Sequence, residues 1–178
     1  MTIFESKDRY KNDDSENIKI NGNGIIKNFQ NGLLTNSDNQ INISSINLQN
    51  NEMGVFLTES RNFIIQDSYF KFNDVSIALH TDFNIELVNN TLDSDHLAGI
   101  TLVGTSESTI SGNKVKGPVN GIFLDGHSNS NLIDSNSAFD NRRVDLNNGN
   151  GLSTEINENE SIDNKCDTSV PNGLCINK

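Results

Sequence analysis

Abstraction of a proton beside a uronate carboxylate requires a base, and a cation to hold the charge that develops; His80 or Asp125 with Arg143 could supply both. Asp145 lies two residues from Arg143 and would join Asp125 and Arg143 in a charge cluster, although an exposed pair of this kind is worth little as a salt bridge. Phe56 and Phe123 add two rings able to stack on the apolar faces of sugars. Phe56, His80, Phe123, Asp125, Arg143 and Asp145 are therefore the candidate ligand-binding residues. No catalytic motif stands out among them, and His80, Asp125 and Arg143 are the candidates should the protein be an enzyme.

Metal chemistry has less to work with. His80, His96 and His127 are the 3 histidines, and they fall at different phases of the sequence repeat described next, whereas copper sites cluster His, Cys or Met. No metal site is expected from them. Asp93 and Asp95, with nearby carbonyls, could hold calcium, against the plainer reading of a solvated acidic turn. Cys166 and Cys175 would close a small disulfide loop in an exported protein and would stay free in a reducing cytosol; their spacing does not choose.

What must position these residues is a repeat. Ile20, Ile43, Ile65, Leu87, Ile110, Ile133 and Ile156 recur at steps of 22 or 23 residues. Three further columns advance with them: Ile26, Leu48, Phe70, Leu92, Val115 and Ala138; Leu33, Val55, Ile77, Ile100, Ile122 and Val144; and Leu57, Leu79, Leu102, Leu124 and Leu146. Short apolar stretches at a fixed period, separated by Asn, Asp, Ser and Gly, are the signature of a solenoid. Alternation within each stretch has period two, so the elements are strands, three to a coil. Like residues then lie above like at about 4.8 Å. Asn39, Asn62 and Asn84 share a turn column, continued by Ser108 and Asn131, and a ladder of amides explains the 31 Asn. Gly32, Gly54, Gly99 and Gly121 form another column, with Ser76 and Arg143 in the same place, which suggests positive φ or a tight bend. With Val55, Leu57, Ile77, Leu79, Ile122 and Leu124 pointing inward, Phe56, His80, Phe123, Asp125, Arg143 and Asp145 share the outward face.

Composition agrees with this economy of core. Only 33% of residues are hydrophobic and there is no Trp, too little for a spherical globule but enough for stacked coils that bury one another. A net charge of -11 repels phosphate backbones, so nucleic acid is not an expected partner. No apolar run is long enough to span a bilayer, and no signal peptide is visible in residues 1–16.

The units "NGLLTNSDNQINISSINLQNN", "MGVFLTESRNFIIQDSYFKFND", "AGITLVGTSESTISGNKVKG" and "NGIFLDGHSNSNLIDSNSAFDN" resemble the right-handed parallel β-helix repeat family, including its NosD-like group, over about residues 17–165. The resemblance implies an all-β, right-handed parallel β-helix solenoid of six to seven coils, 22–23 residues each, with three short strands per coil. The ending "NKCDTSVPNGLC" is similar to tails that follow the last coil in secreted members, which implies a disulfide and an extracellular, periplasmic or cell-surface location. The expected domains are a polar segment at 1–16 covering the first coil through Ile3, Phe4 and Tyr10, the β-helix at 17–150, and a last partial coil with a disulfide-closed cap at 151–178. In that cap Ile156 continues the first column and Ile162 the second. The family's activities range widely. The expected function is a non-catalytic module that binds a polysaccharide or cell-surface glycan or serves a structural role. A lyase, epimerase or glycosidase acting on polysaccharide is the alternative, and a NosD-like periplasmic accessory factor the second.

Overall fold

The computed structural model describes residues 8–13 and 16–176, and in it the chain winds through three parallel sheets. Sheet A has 8 strands and sheets B and C have 7 each, and every strand pairs with its counterpart one coil away. About seven turns of an all-β solenoid result, with three strands per coil. Sheet A runs through Asn31–Asn36, Met53–Thr58, Val75–His80, Ala98–Val103, Asn120–Leu124 and Val144–Asn148. Asp8–Asp13 adds a strand to its first edge, parallel to Asn31–Asn36. Ile3 and Phe4, expected to cover the first coil, lie outside the described residues.

The apolar columns fill the interior. Ile43, Ile65, Leu87 and Ile110 from sheet B, Leu48, Phe70 and Leu92 from sheet C, and Val55, Ile77 and Ile100 from sheet A are each at most 1% exposed. Burying a side chain of this size contributes roughly 1.5–3 kcal/mol, and here each one is buried partly by its equivalent in the next coil. Close packing also explains the glycine column. A Cβ on Gly32 would stand 2.6 Å from both the Gly54 carbonyl oxygen and Leu48 of sheet C. Gly32, Gly54, Gly99 and Gly121 thus answer to crowding, and positive φ is found elsewhere.

Positive φ marks the corners. Between sheets B and C, Ser45, Asp67, Asn89, Gly112, Ser135 and Asp163 all have φ of 49–65°. Gly adopts that region freely and Asn and Asp more readily than most residues. After Ser45, which precedes Ile46, each of these corner residues is followed by a Ser or Asn whose buried side chain accepts the backbone N–H of the coil before it, beginning with Ile46 N–H to Ser68 Oγ at 3.3 Å. Ser68 N–H donates to Asn90 Oδ1, Asn90 N–H to Asn113 Oδ1, Asn113 N–H to Asn136 Oδ1 and Asn136 N–H to Asn164 Oδ1, at 2.9–3.1 Å. The amide of each Asn returns a bond to a core carbonyl, as Asn113 Nδ2 does to Leu87 at 2.8 Å. The Asn39, Asn62 and Asn84 column is also laddered, at 2.7 Å per step, on the surface side of its turn. Ser108 and Asn131, expected to continue it, belong instead to the buried column of Ile41, Phe63 and Ile85: Ile85 N–H donates to Ser108 Oγ and Ser108 N–H to Asn131 Oδ1, both at 3.0 Å.

Register departs from expectation in the last coils. Leu146, not Val144, pairs with Ile122, and Asn148 takes the place of Leu124. Asp145, not Arg143, therefore falls in the glycine column. Residues 141–143 take up the two-residue shift in the turn before sheet A. A second insertion, the helix Thr154–Asn157, carries Ile156 out to 68% exposure, so Ser161 rather than Ile156 pairs with Ile133. Cys166 then pairs with Ala138 in place of Ile162, which is 44% exposed. Cys166 is bonded to Cys175, and Leu174 closes the end of the core.

Candidate ligand-binding faces

Sheet A presents the outward face on which the candidate residues were expected. Its central outward column reads Leu34, Phe56, Ala78, Thr101 and Phe123 in register, and a parallel column at the strand starts reads Asn31, Met53, Val75, Ala98 and Asn120, with the two alanines buried between their larger neighbours. Phe56 and Phe123 are half-buried and lie three coils apart, about 14 Å along the axis. His80 is exposed at the end of its strand, between Thr58 and Val103. In these five coils those two columns carry no Asp, Glu, Lys or Arg, although the chain has 37 such residues, 13 basic and 24 acidic; Asp125 stands at their edge, following Leu124 in line with His80 and Val103.

The expected charged cluster does not assemble. Asp125 follows the last residue of its strand, whereas Arg143 precedes Val144, which pairs with Asn120 at the strand's other end. Six residues of strand separate the two levels, roughly 20 Å. Asp145 is 2% exposed and faces inward, so it is not an outward ligand contact. Its carboxylate organises the last turn, accepting the Asn141 amide at 2.7 Å, the Thr168 hydroxyl at 2.8 Å and the backbone N–H groups of Thr168 and Asp167 at 2.9 and 3.1 Å. Asp125 is similarly engaged: it accepts Gly104 N–H at 3.0 Å and the Ser128 hydroxyl at 2.8 Å, and touches His127 Nδ1 at 3.1 Å. Burial would raise its pKa, but the donors from Gly104, Ser128 and His127 outweigh that and hold it below the usual carboxylate value. Such a carboxylate is a weak base. His80 stands two coils from it with Val103 between.

The imidazoles are equally dispersed. His96 pairs with Asp74 at 2.8 Å in the turn from sheet C to sheet A, His127 with Asp125 in the turn after sheet A, and His80 with neither. Asp93 bonds to Lys71 at 3.3 Å while Asp95 is buried against Ser76 and Asn73, so these two carboxylates do not converge as a calcium site would require. Among the described residues no three His, Cys, Asp or Glu side chains meet as a metal site, and both cysteine sulfurs are committed to the disulfide.

Fold and surface together define a repetitive parallel β-solenoid with broad, shallow outward faces in place of a convergent cleft. The chain belongs to the family described as "Periplasmic copper-binding protein (NosD)", which it matches over residues 1–173. Its members are periplasmic, in agreement with the expected location outside the cytosol and with a disulfide. The described donor residues do not fit the copper of that description, since thiolates, imidazoles and thioethers nowhere gather. No helix is long and apolar enough to cross a membrane among the described residues. No curated protein matches the chain. The solved structure of trypsin-treated QnrB1, a plasmid-mediated fluoroquinolone resistance protein, aligns over 88% of this chain and 91% of its own at 11% identity and a TM-score of 0.20, too slight a likeness to support any argument.

Proposed function

We propose that the protein is a non-catalytic periplasmic β-helix module that binds a neutral glycan chain along the outward face of sheet A. The observation that carries this reading is a strip of two strand columns without charge across five coils of that face, with Phe56 and Phe123 set into it and the Asp125 at its edge already engaged by Gly104, Ser128 and His127. A flat, uncharged strip with spaced rings matches the apolar faces of successive sugar units, and a stacked ring contributes most when its surroundings stay dry. The scattering of His80, Asp125 and Arg143 supports binding without turnover, because acid–base chemistry needs its groups within hydrogen-bond reach of one substrate atom. Affinity electrophoresis in gels containing neutral polysaccharides tests the reading. The protein should be retarded, the Phe56→Ala, Phe123→Ala double variant should lose about tenfold in affinity, and the glycan should be recovered uncut. No retardation, or retardation indifferent to both rings, would refute it.

The match to the NosD family favours a second reading, a periplasmic accessory factor for a metalloenzyme. Elemental analysis of protein purified from a copper-supplied periplasm discriminates between the two. Copper near one equivalent would support the accessory role and displace glycan binding as the leading explanation.

A further inference from the structure

Sheet C differs from sheet A in the chemistry of its outward side. Its two outward columns read Asn47, Tyr69, Thr91, Lys114, Ser137 and Lys165, and Gln49, Lys71, Asp93, Lys116 and Phe139. With Lys27 beside Gln49, five of the nine lysines in the sequence lie on this one face, against Asp93 within the strands and Asp140 just beyond Phe139. In a chain of net charge -11 that is a local reversal of sign. A shallow groove of about 400 Å³ lies across the middle of the face, walled by Tyr69 at one end and Phe139 at the other, with Lys114 and Lys116 along it. Tyr69 and Phe139 are three coils apart, about 14 Å.

The cations are unequally engaged. Lys71 Nζ bonds to Asp93 at 3.3 Å and sits 4.8 Å from the Phe72 ring centre; the bond to Asp93 raises its pKa. Lys116 reaches Asp140 at 3.1 Å, but both side chains are about two-thirds exposed, so the pair is weak and open to competition. Lys114 is exposed and makes no ion pair among the described residues.

We infer that this groove is a second, separate binding site, and that it takes an acidic saccharide. The rings of Tyr69 and Phe139 supply stacking surfaces for sugar units, and the ammonium groups of Lys114 and Lys116 between them supply charge for carboxylates. The acidic balance of the whole chain does not oppose this, because charges more than about 8 Å away are screened at physiological salt.

The test titrates the purified protein with a short oligogalacturonate, its methyl ester, and single-stranded DNA of similar charge, at low and high salt. The acid form should bind, more weakly as salt rises, while the ester and the DNA bind at least about tenfold more weakly. The Lys114→Glu, Lys116→Glu double variant should lose about tenfold or more of the affinity, and Tyr69→Ala a smaller part of it. Phe56→Ala should change nothing here, which separates this site from the one on sheet A. Binding of acid and ester alike, DNA binding as tight as the saccharide, affinity that survives the double lysine variant, or no binding at all would each overturn the inference.

Discussion

Asp82 and Asp95 occupy buried corner positions that Ser, Thr or Asn fills in neighbouring coils, and burial pushes both up to about 7. The opposing donors, backbone N–H groups of Ser60 and His80 on Asp82, and the Ser76 hydroxyl with Asn73 on Asp95, recover only part of the cost of removing a carboxylate from water. The folded chain therefore holds these protons more tightly than the unfolded chain, whose value is near 3.8. That stabilisation is complete below about pH 4 and is lost as pH rises to about 7. Thermal melts should accordingly show a higher Tm at pH 5 than at pH 8. Asp95→Asn, which extends the run of Asn51 and Asn73, should raise Tm at pH 8 and flatten the profile. An equal or lower Tm for the variant at pH 8 would mean that the carboxylate is better solvated than its burial indicates.

At the scale of the strand and its turn, the buried asparagines hold neighbouring coils in register. Asn113 accepts the N–H and the amide of Asn90 at 2.9 and 3.1 Å, and donates to Asn136 and to the Leu87 carbonyl. Asn113→Ala strands several of these groups away from water and should cost about 2–4 kcal/mol in chemical unfolding. Asn89→Gly, at the exposed left-handed position beside it, should stay within about 0.5 kcal/mol of the parent. The sequence made this architecture legible as far as Ala138, because nearly every coil up to there places apolar residues at the same inward positions. Beyond it Asn148, Ser161 and Cys166 fill the matching positions, while Val144, Ile156 and Ile162 imitate the lost columns at the wrong spacing. Two short insertions thus pass for continuous repeat in the sequence, and the expected charge cluster of Asp125, Arg143 and Asp145 rests on the same false register. The lysines of sheet C stayed hidden for another reason. Its strands have at most three residues, so alternation within any one of them is too short to declare a face.

For the molecule as a whole, stability in a solenoid is the sum of neighbour contacts, so its ends can open while its middle holds. The disulfide from Cys166 to Cys175 ties the last strand of sheet C to the segment that brings Leu174 over the core. Its loss in Cys175→Ser should speed hydrogen exchange in residues 160–176 and leave residues 31–124 unchanged; uniform acceleration would show that the coils unfold as one unit. The same architecture offers two long faces of different character, one with a strip free of charge and one cationic, on a body that is otherwise acidic, an arrangement suited to lying along polymers. The most direct test of that role is chemical-shift mapping of the intact protein against neutral and acidic oligosaccharides, with the sugars analysed afterwards. Perturbations confined to the neighbours of Phe56 and Phe123 with neutral sugar, and of Lys114 and Lys116 with acidic sugar, both recovered uncut, are the expected result. Unperturbed spectra, or a cleaved saccharide, would contradict it.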